Sequence, residues 1–306
     1  MNIISISKTL LIFLLAFVCL FSITFAKQPK VIKPKKFEIG ISYNAFNSSS
    51  YYNLNDSLIT TQYDTFKNYD STADTTVRYT FDFTRTTLTL DGKYNFNNSM
   101  AVGLSLPLSF YKLRERYLSD EYGNRFDRGN FSLTQLDYIE INAVYKFEAA
   151  QLFGGLETKV RIPSRGQNGL YGHSDFLSDG AFEFLAGSYF GAKVNKTNFF
   201  TEVLYNYRAE DYKDQFIVNS GIGFTTVPNT ELKLFAAMHI SASSFDNVRP
   251  LNIRETVSQE NNYGVGAIFK INLTDEFNTT FNYFVTLAGK NTWSYSLFTL
   301  YVGYQF

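Results

Sequence analysis

The sequence predicts an all-β fold: one up-and-down antiparallel transmembrane β-barrel of about twelve strands, with both termini periplasmic. Three observations predict it. Apolar residues recur at every second position in about twelve segments, each of the length a tilted strand needs to cross a bilayer. The connections between segments alternate short and long along the whole chain. The 306 residues include 31 Phe and 22 Tyr, yet only 45% are hydrophobic. That is too polar for a helical membrane protein and too aromatic for disorder. A strand with one face toward lipid and one toward water averages to this composition. After residue 36 no run of 18 apolar residues occurs, so no membrane helix is expected.

The chain begins with a targeting segment. Residues 1–26 read as a signal peptide: Lys8, an apolar run over residues 9–25, and Thr24 and Ala26 at the −3 and −1 positions of a cut after Ala26. The alternative, an uncleaved anchor, needs about 20 apolar residues, and the run is shorter. Cys19, the sole cysteine, lies within it behind Ala16, Phe17 and Val18, a poor lipidation signal. Its removal leaves no disulfide for an oxidising compartment. Residues 27–36 (K-Q-P-K-V-I-K-P-K-K) read as a short basic periplasmic tail, and residues 37–306 as the barrel. With 28 Lys+Arg against 28 Asp+Glu and no other basic run, nucleic acid is not an expected partner.

The strands follow in order. Phe37, Ile39, Ile41 and Tyr43 make the first apolar face. Leu88, Leu90, Tyr94 and Phe96 make the second, with Tyr79, Phe81 and Phe83 on the opposite parity, which predicts a bulge near residues 84–86 or a strand leaving the membrane. Val102 to Phe110, Ile139 to Phe147 and Leu152 to Ile162 follow. Phe182 to Phe190 is less regular. Phe199 to Tyr207, Phe216 to Phe224, Leu232 to Ile240, Tyr263 to Ile271 and Phe277 to Leu287 continue the pattern. The last stretch, residues 293–306, alternates Phe298, Leu300, Val302, Tyr304 and Phe306. A final strand that ends on an aromatic residue resembles the closing strand of bacterial outer-membrane β-barrels. In that group the strand is the signal read by the assembly machinery, here Tyr304 and Phe306.

Short turns are expected at residues 96–100, 148–151, 195–197, 228–230 and 274–276, rich in Asn, Asp, Thr and Pro. Long connections are expected at residues 47–78, 113–130, 164–180, 209–214 and 245–259, with only residues 289–292 short on that side. This alternation is that of a meander with periplasmic turns and surface loops. An open sheet edge in hydrocarbon would leave unpaired N–H and C=O groups at several kcal/mol each, so the first strand must pair with the last.

The opposite parity then faces the lumen. Its ionisable candidates are Arg85, Asp91 and Lys93; Glu140; Glu157, Lys159 and Arg161; Glu202 and Arg208; Lys233 and His239; and Lys270. Charges at membrane depth persist only facing an interior where they find partners. These groups either line a narrow, weakly selective passage or neutralise one another in a closed barrel; twelve strands lie between filled eight-stranded barrels and open porins.

Catalysis is not expected. There are two His: His173 in a Gly-rich loop and His239 on the lumenal parity, with no serine at a recognisable nucleophile spacing. C-x-x-C, H-E-x-x-H, a P-loop and a calcium-loop cadence are all missing, so no metal or cofactor is expected.

G-L-S-L-P-L-S (residues 103–109), G-G-L-E-T-K-V-R-I-P (154–163) and L-A-G-K-N-T (287–292) resemble the family named for the MetA pathway of phenol degradation. Its members are described as outer-membrane transporters, and the resemblance covers most of the chain after residue 26. It implies a barrel in the outer membrane of a Gram-negative bacterium that passes or binds a small solute, hydrophobic or aromatic in character. The family carries no catalytic residues to transfer. A structural or surface-interaction barrel is the alternative. The implied partners are outer-membrane lipid, the barrel assembly machinery and periplasmic chaperones, with the protein a monomer.

Overall fold

Every described element is an antiparallel strand, and the strands close on themselves. The computed structural model describes residues 37–52, 58–59, 62–66, 75–119, 127–164, 182–209, 214–225, 229–241, 261–290 and 292–306. The expected signal peptide and basic tail, and His173, lie outside the described residues.

The strands are β1 (Phe37–Tyr52), β2 (Leu58–Ile59), β3 (Gln62–Phe66), β4 (Thr75–Asn95), β5 (Met100–Ser119), β6 (Asp127–Leu136), β7 (Tyr138–Ala149), β8 (Leu152–Pro163), β9 (Glu183–Val194), β10 (Thr197–Arg208), β11 (Gln215–Phe224), β12 (Thr230–Ser241), β13 (Asn261–Asn272), β14 (Phe277–Lys290) and β15 (Thr292–Gln305). Each strand from β8 to β14 pairs with both of its sequence neighbours. β1 pairs with β4 on one side and β15 on the other. The seam runs in register from Glu38↔Gln305 to Ser48↔Tyr295, and the Phe306 N–H donates to the Phe37 carbonyl at 2.8 Å. β6 and β7 form one pass against β5, so twelve passes make the wall, as the apolar alternation predicts. The short β2 and β3 only extend β1 and β4.

The barrel is apolar outside and polar inside. Ile41 (58% exposed), Leu90 (52%) and Leu234 (46%) stand on the outer face, while Ser42 and Thr89, next to the first two, and Glu38 on the inner parity of β1 are buried. A water-soluble barrel would invert this, because exposed apolar area is unfavourable in water. Short turns gather at one rim, with both ends of the wall. Asn195 and Asn229 adopt positive φ there, at 57° and 68°, a conformation Asn tolerates better than most residues. Residues 226–228, in the β11–β12 turn, are outside the described set.

The structure corrects two expectations. No register shift occurs at residues 84–86: Thr84↔Lys112, Arg85↔Tyr111 and Thr86↔Phe110 stay in step, and the irregularity lies at Arg78/Tyr79. Phe83 keeps its parity and points inward, 4% exposed. The stretches 47–78 and 113–130 are also less loop-like than expected. β1 runs to Tyr52, β4 starts at Thr75 and β5 reaches Ser119, giving strands of 21 and 20 residues for β4 and β5. About 9–11 residues suffice to cross. The Thr-, Tyr- and Phe-rich segment T-T-V-R-Y-T-F-D-F favours the extended chain, so the ladder continues past the apolar band.

The fourth pass is interrupted at Asp137. Leu108↔Leu136 and Ser105↔Glu140 bracket one extra residue on this pass, a β-bulge. Pro107 faces it and has no N–H to give. The Asp137 N–H donates to the Pro107 carbonyl at 3.0 Å, and the Asp137 carbonyl accepts from the Ser164 N–H at 3.2 Å, on the other neighbour. Asp137 and Tyr138 therefore both reach the lumen side.

Candidate functional site: the barrel lumen

The inner face is set by the parity of each strand, and pairing fixes which inner residues become neighbours. All twelve ionisable candidates lie on the inner parity: Arg85, Asp91 and Lys93 on β4, Glu140 on β7, Glu157, Lys159 and Arg161 on β8, Glu202 and Arg208 on β10, Lys233 and His239 on β12, and Lys270 on β13. They form separate groups.

The densest group is a ladder across four strands. Arg161 Nε donates to Glu140 Oε2 at 2.7 Å, and Arg161 Nη1 to Glu183 Oε2 at 2.9 Å. Arg208 Nε lies 3.4 Å from Glu183 Oε1. The guanidinium of Arg161 also stacks over Tyr138, 5.0 Å from the ring centroid. A fork-shaped cation shared between two carboxylates suits a site with little water, since each charge is met by directional hydrogen bonds.

Toward the turn rim the pairs are looser. Lys159 lies 3.0 Å from Glu157, and Lys233 3.4 Å from Glu231. Lys93 is 3.7 Å from Glu38, whose carboxylate also accepts from Tyr301 at 2.8 Å and Gln305 at 3.2 Å. Asp91 accepts from Ser105 at 2.5 Å, and Glu202 from Asn219 at 2.6 Å. Lys270 is exposed. His239 stands between Ile217 on β11 and Asn262 on β13.

A second set of inner residues escaped the sequence reading. Phe235, Phe284, Tyr295, Phe46, Phe83 and Tyr111 form an unbroken aromatic arc from β12 round the seam to β5. Successive ring centroids are 6.3, 5.6, 4.6, 5.5 and 6.3 Å apart. Glycine makes the passage of the rings across β13 possible. A Cβ built at Gly264 would lie 2.6 Å from Phe284 Cε2, and one at Gly266 2.6 Å from Phe235 Cε1. Tyr111 (1% exposed) donates its hydroxyl to Asp137 at 2.6 Å, and the Asp137 carboxylate accepts from Ser109 as well. Leu185 and Leu204 pack inward on the opposite wall. The lumen is thus narrowed by rings toward the loop rim, and the more exposed lysines lie toward the turn rim. The signal for the arc was available: each ring sits on the polar parity of its strand, as in K-L-F-A-A-M-H over residues 233–239.

Four buried inner atoms have no hydrogen-bond partner among the described residues: Asn206 Oδ1, Asn262 Oδ1, Asn282 Oδ1 and Thr286 Oγ1. Tyr304 and Phe306 are outward at the turn rim, with ring centroids 4.8 Å apart, beside Phe277 and Phe37.

No family model and no curated protein matches the sequence. Among solved structures, the COG4313 outer membrane channel from Pseudomonas putida F1 superposes with a TM-score of 0.57 at 11% identity, covering 91% of this chain and 100% of that one. The NanC porin superposes with a TM-score of 0.47 at 8% identity, over 87% of this chain and 100% of its own. The translocator domain of the autotransporter NalP from Neisseria meningitidis gives 0.43 at 10% identity, over 93% and 92%. Identities at this level speak for fold alone. With its apolar exterior, polar interior and closed twelve-pass wall, the chain folds as an outer-membrane β-barrel.

Proposed function

We propose that the protein works in the outer membrane of a Gram-negative bacterium, as a monomer. There it gives a small apolar or aromatic solute passive passage, or a binding place, inside the barrel. The turn rim then faces the periplasm, and Tyr304 and Phe306 present the aromatic signal to the assembly machinery. The observation that carries the reading is the set of unpartnered lumenal atoms on Asn206, Asn262, Asn282 and Thr286. A barrel packed only to be filled would satisfy them, since a buried polar atom without a partner costs about 1–3 kcal/mol. Water or a solute meets that need. The aromatic arc, beside Asn262, Asn282 and Thr286, gives an apolar molecule a surface. The Pseudomonas putida protein of the same fold, which its description calls a channel, supports the reading.

Planar-bilayer recording on the refolded protein tests it. Discrete single-channel steps of small conductance are expected. A silent bilayer holding folded, heat-modifiable protein would overturn passage. It would favour a closed structural barrel, the reading to which the near-complete burial of Tyr111 and Ser109 lends weight.

A further inference from the structure

Arg85 stands apart from the other lumenal cations. Arg161 and Arg208 share carboxylates, and Lys93, Lys159 and Lys233 each have an acid within 4 Å. Arg85 makes no ion pair and no hydrogen bond among the described residues; its one contact of note is the Phe46 ring, whose centroid lies 5.3 Å from the guanidinium carbon. Lys146 and Lys270 also make no ion pair among the described residues, but both are exposed where Arg85 is not. Arg85 is half-buried, facing inward between Phe46 on β1 and Tyr111 on β5. Asp137 also reaches this wall, and its carboxylate is occupied by the hydroxyls of Ser109 and Tyr111 and, at 3.4 Å, by the amide of Gln135.

We propose that the wall around Arg85 binds a small aromatic carboxylate, the carboxylate in the guanidinium fork and the ring against the lumen-facing part of the arc at Tyr295, which stacks on the buried Phe46 beside Phe83. This rests on the reading that a small solute enters the lumen. The chemistry follows from the two halves of the site. A guanidinium presents parallel N–H donors in a plane, which match the two oxygens of one carboxylate. A cation already lying over a ring keeps its donors free in that plane, because the contact uses its face. The neighbouring rings give a flat ligand offset-stacked or edge contacts. A neutral aromatic would leave the fork unmet, and an acid without a ring would leave the arc unused.

The test is calorimetry on the full-length barrel in detergent micelles with sodium benzoate, against acetate and benzyl alcohol, each corrected for the micelle blank. Saturable benzoate binding is expected, with acetate and benzyl alcohol weaker by about tenfold or more. Arg85→Gln should weaken benzoate by about tenfold or more, and Arg85→Lys, which keeps the charge and loses the fork, by less. Phe46→Leu gives a second route should Arg85→Gln fail to become heat-modifiable; it too should weaken benzoate. Unchanged benzoate affinity in a folded Arg85→Gln or Phe46→Leu barrel, equal affinity for acetate, or no saturable benzoate binding would each overturn the proposal. The bilayer recordings keep the two readings apart. Benzoate binding in a silent barrel removes passage and leaves the site; conductance without benzoate binding removes the site and leaves passage.

Discussion

Arg161 is the residue on which the inner charge network turns. It meets Glu140 and Glu183, whose side chains are 11% and 12% exposed, while its own remains 29% exposed. Arg161→Met would leave two nearly buried carboxylates facing each other without the shared cation. We expect a loss of about 3 kcal/mol in urea unfolding from micelles, the low end for breaking a buried pair because water still reaches the arginine. Replacing Glu140, Arg161, Glu183 and Arg208 together by apolar residues should cost less than the single change, since no charge of the ladder is then stranded. A quadruple variant less stable than Arg161→Met would refute this. The alternation E-T-K-V-R placed Glu157, Lys159 and Arg161 on one face from sequence alone. It did not reveal that Arg161 bonds Glu183, 22 residues away, because partners across a wall depend on register. Phe83 teaches the converse. Its parity was legible, but inward aromatics look like lipid-facing ones displaced by a bulge until the pairing of β4 with β1 and β5 is known.

At the scale of the element, the seam between β1 and β15 decides closure. Both strands belong to opposite ends of the chain, so nothing else in the sequence holds them near each other. Phe306 contributes the last bond of the ladder, to Phe37, and the outermost ring of the aromatic group at that rim. Deleting Phe306 should impair membrane insertion while leaving the conductance of those molecules that do assemble unchanged. Normal yields of heat-modifiable, membrane-inserted protein would count against that role. Strand existence and parity were legible here because apolar alternation reports the lipid directly. Strand length was not. Past the bilayer the outer face need not be apolar, so the long ends of β4 and β5 carry no period-two signal and read as loops.

For the whole molecule, the balance of charge inside the wall matters more than any single pair. The ladder of Glu140, Arg161, Glu183 and Arg208 is neutral, Lys93, Lys159 and Lys233 on the turn side are matched by Glu38, Glu157 and Glu231, and the inner-face acids Asp91 and Glu202 offset Lys146 and Lys270 in number. A lumen of both signs has no strong field along its axis. In a salt gradient across the bilayer, the reversal potential should therefore stay close to zero, and a strongly cation- or anion-selective current would contradict the arrangement. Class, strand number and closure were all readable from composition and periodicity, since the membrane constrains them so heavily. The constriction was not, because it arises where side chains from six strands meet.

The extra residue at Asp137 has a further consequence for how this wall can change over generations. In a plain run of alternating residues, loss of one codon exchanges inside and outside for everything up to the next turn. At residue 137 the same loss would do the opposite: Leu136 would stay outward, Tyr138 inward, and the two halves of the pass would join as one uninterrupted strand. The fourth pass thus holds a spare residue, a place where the gene can shorten by one codon and the barrel keep its faces.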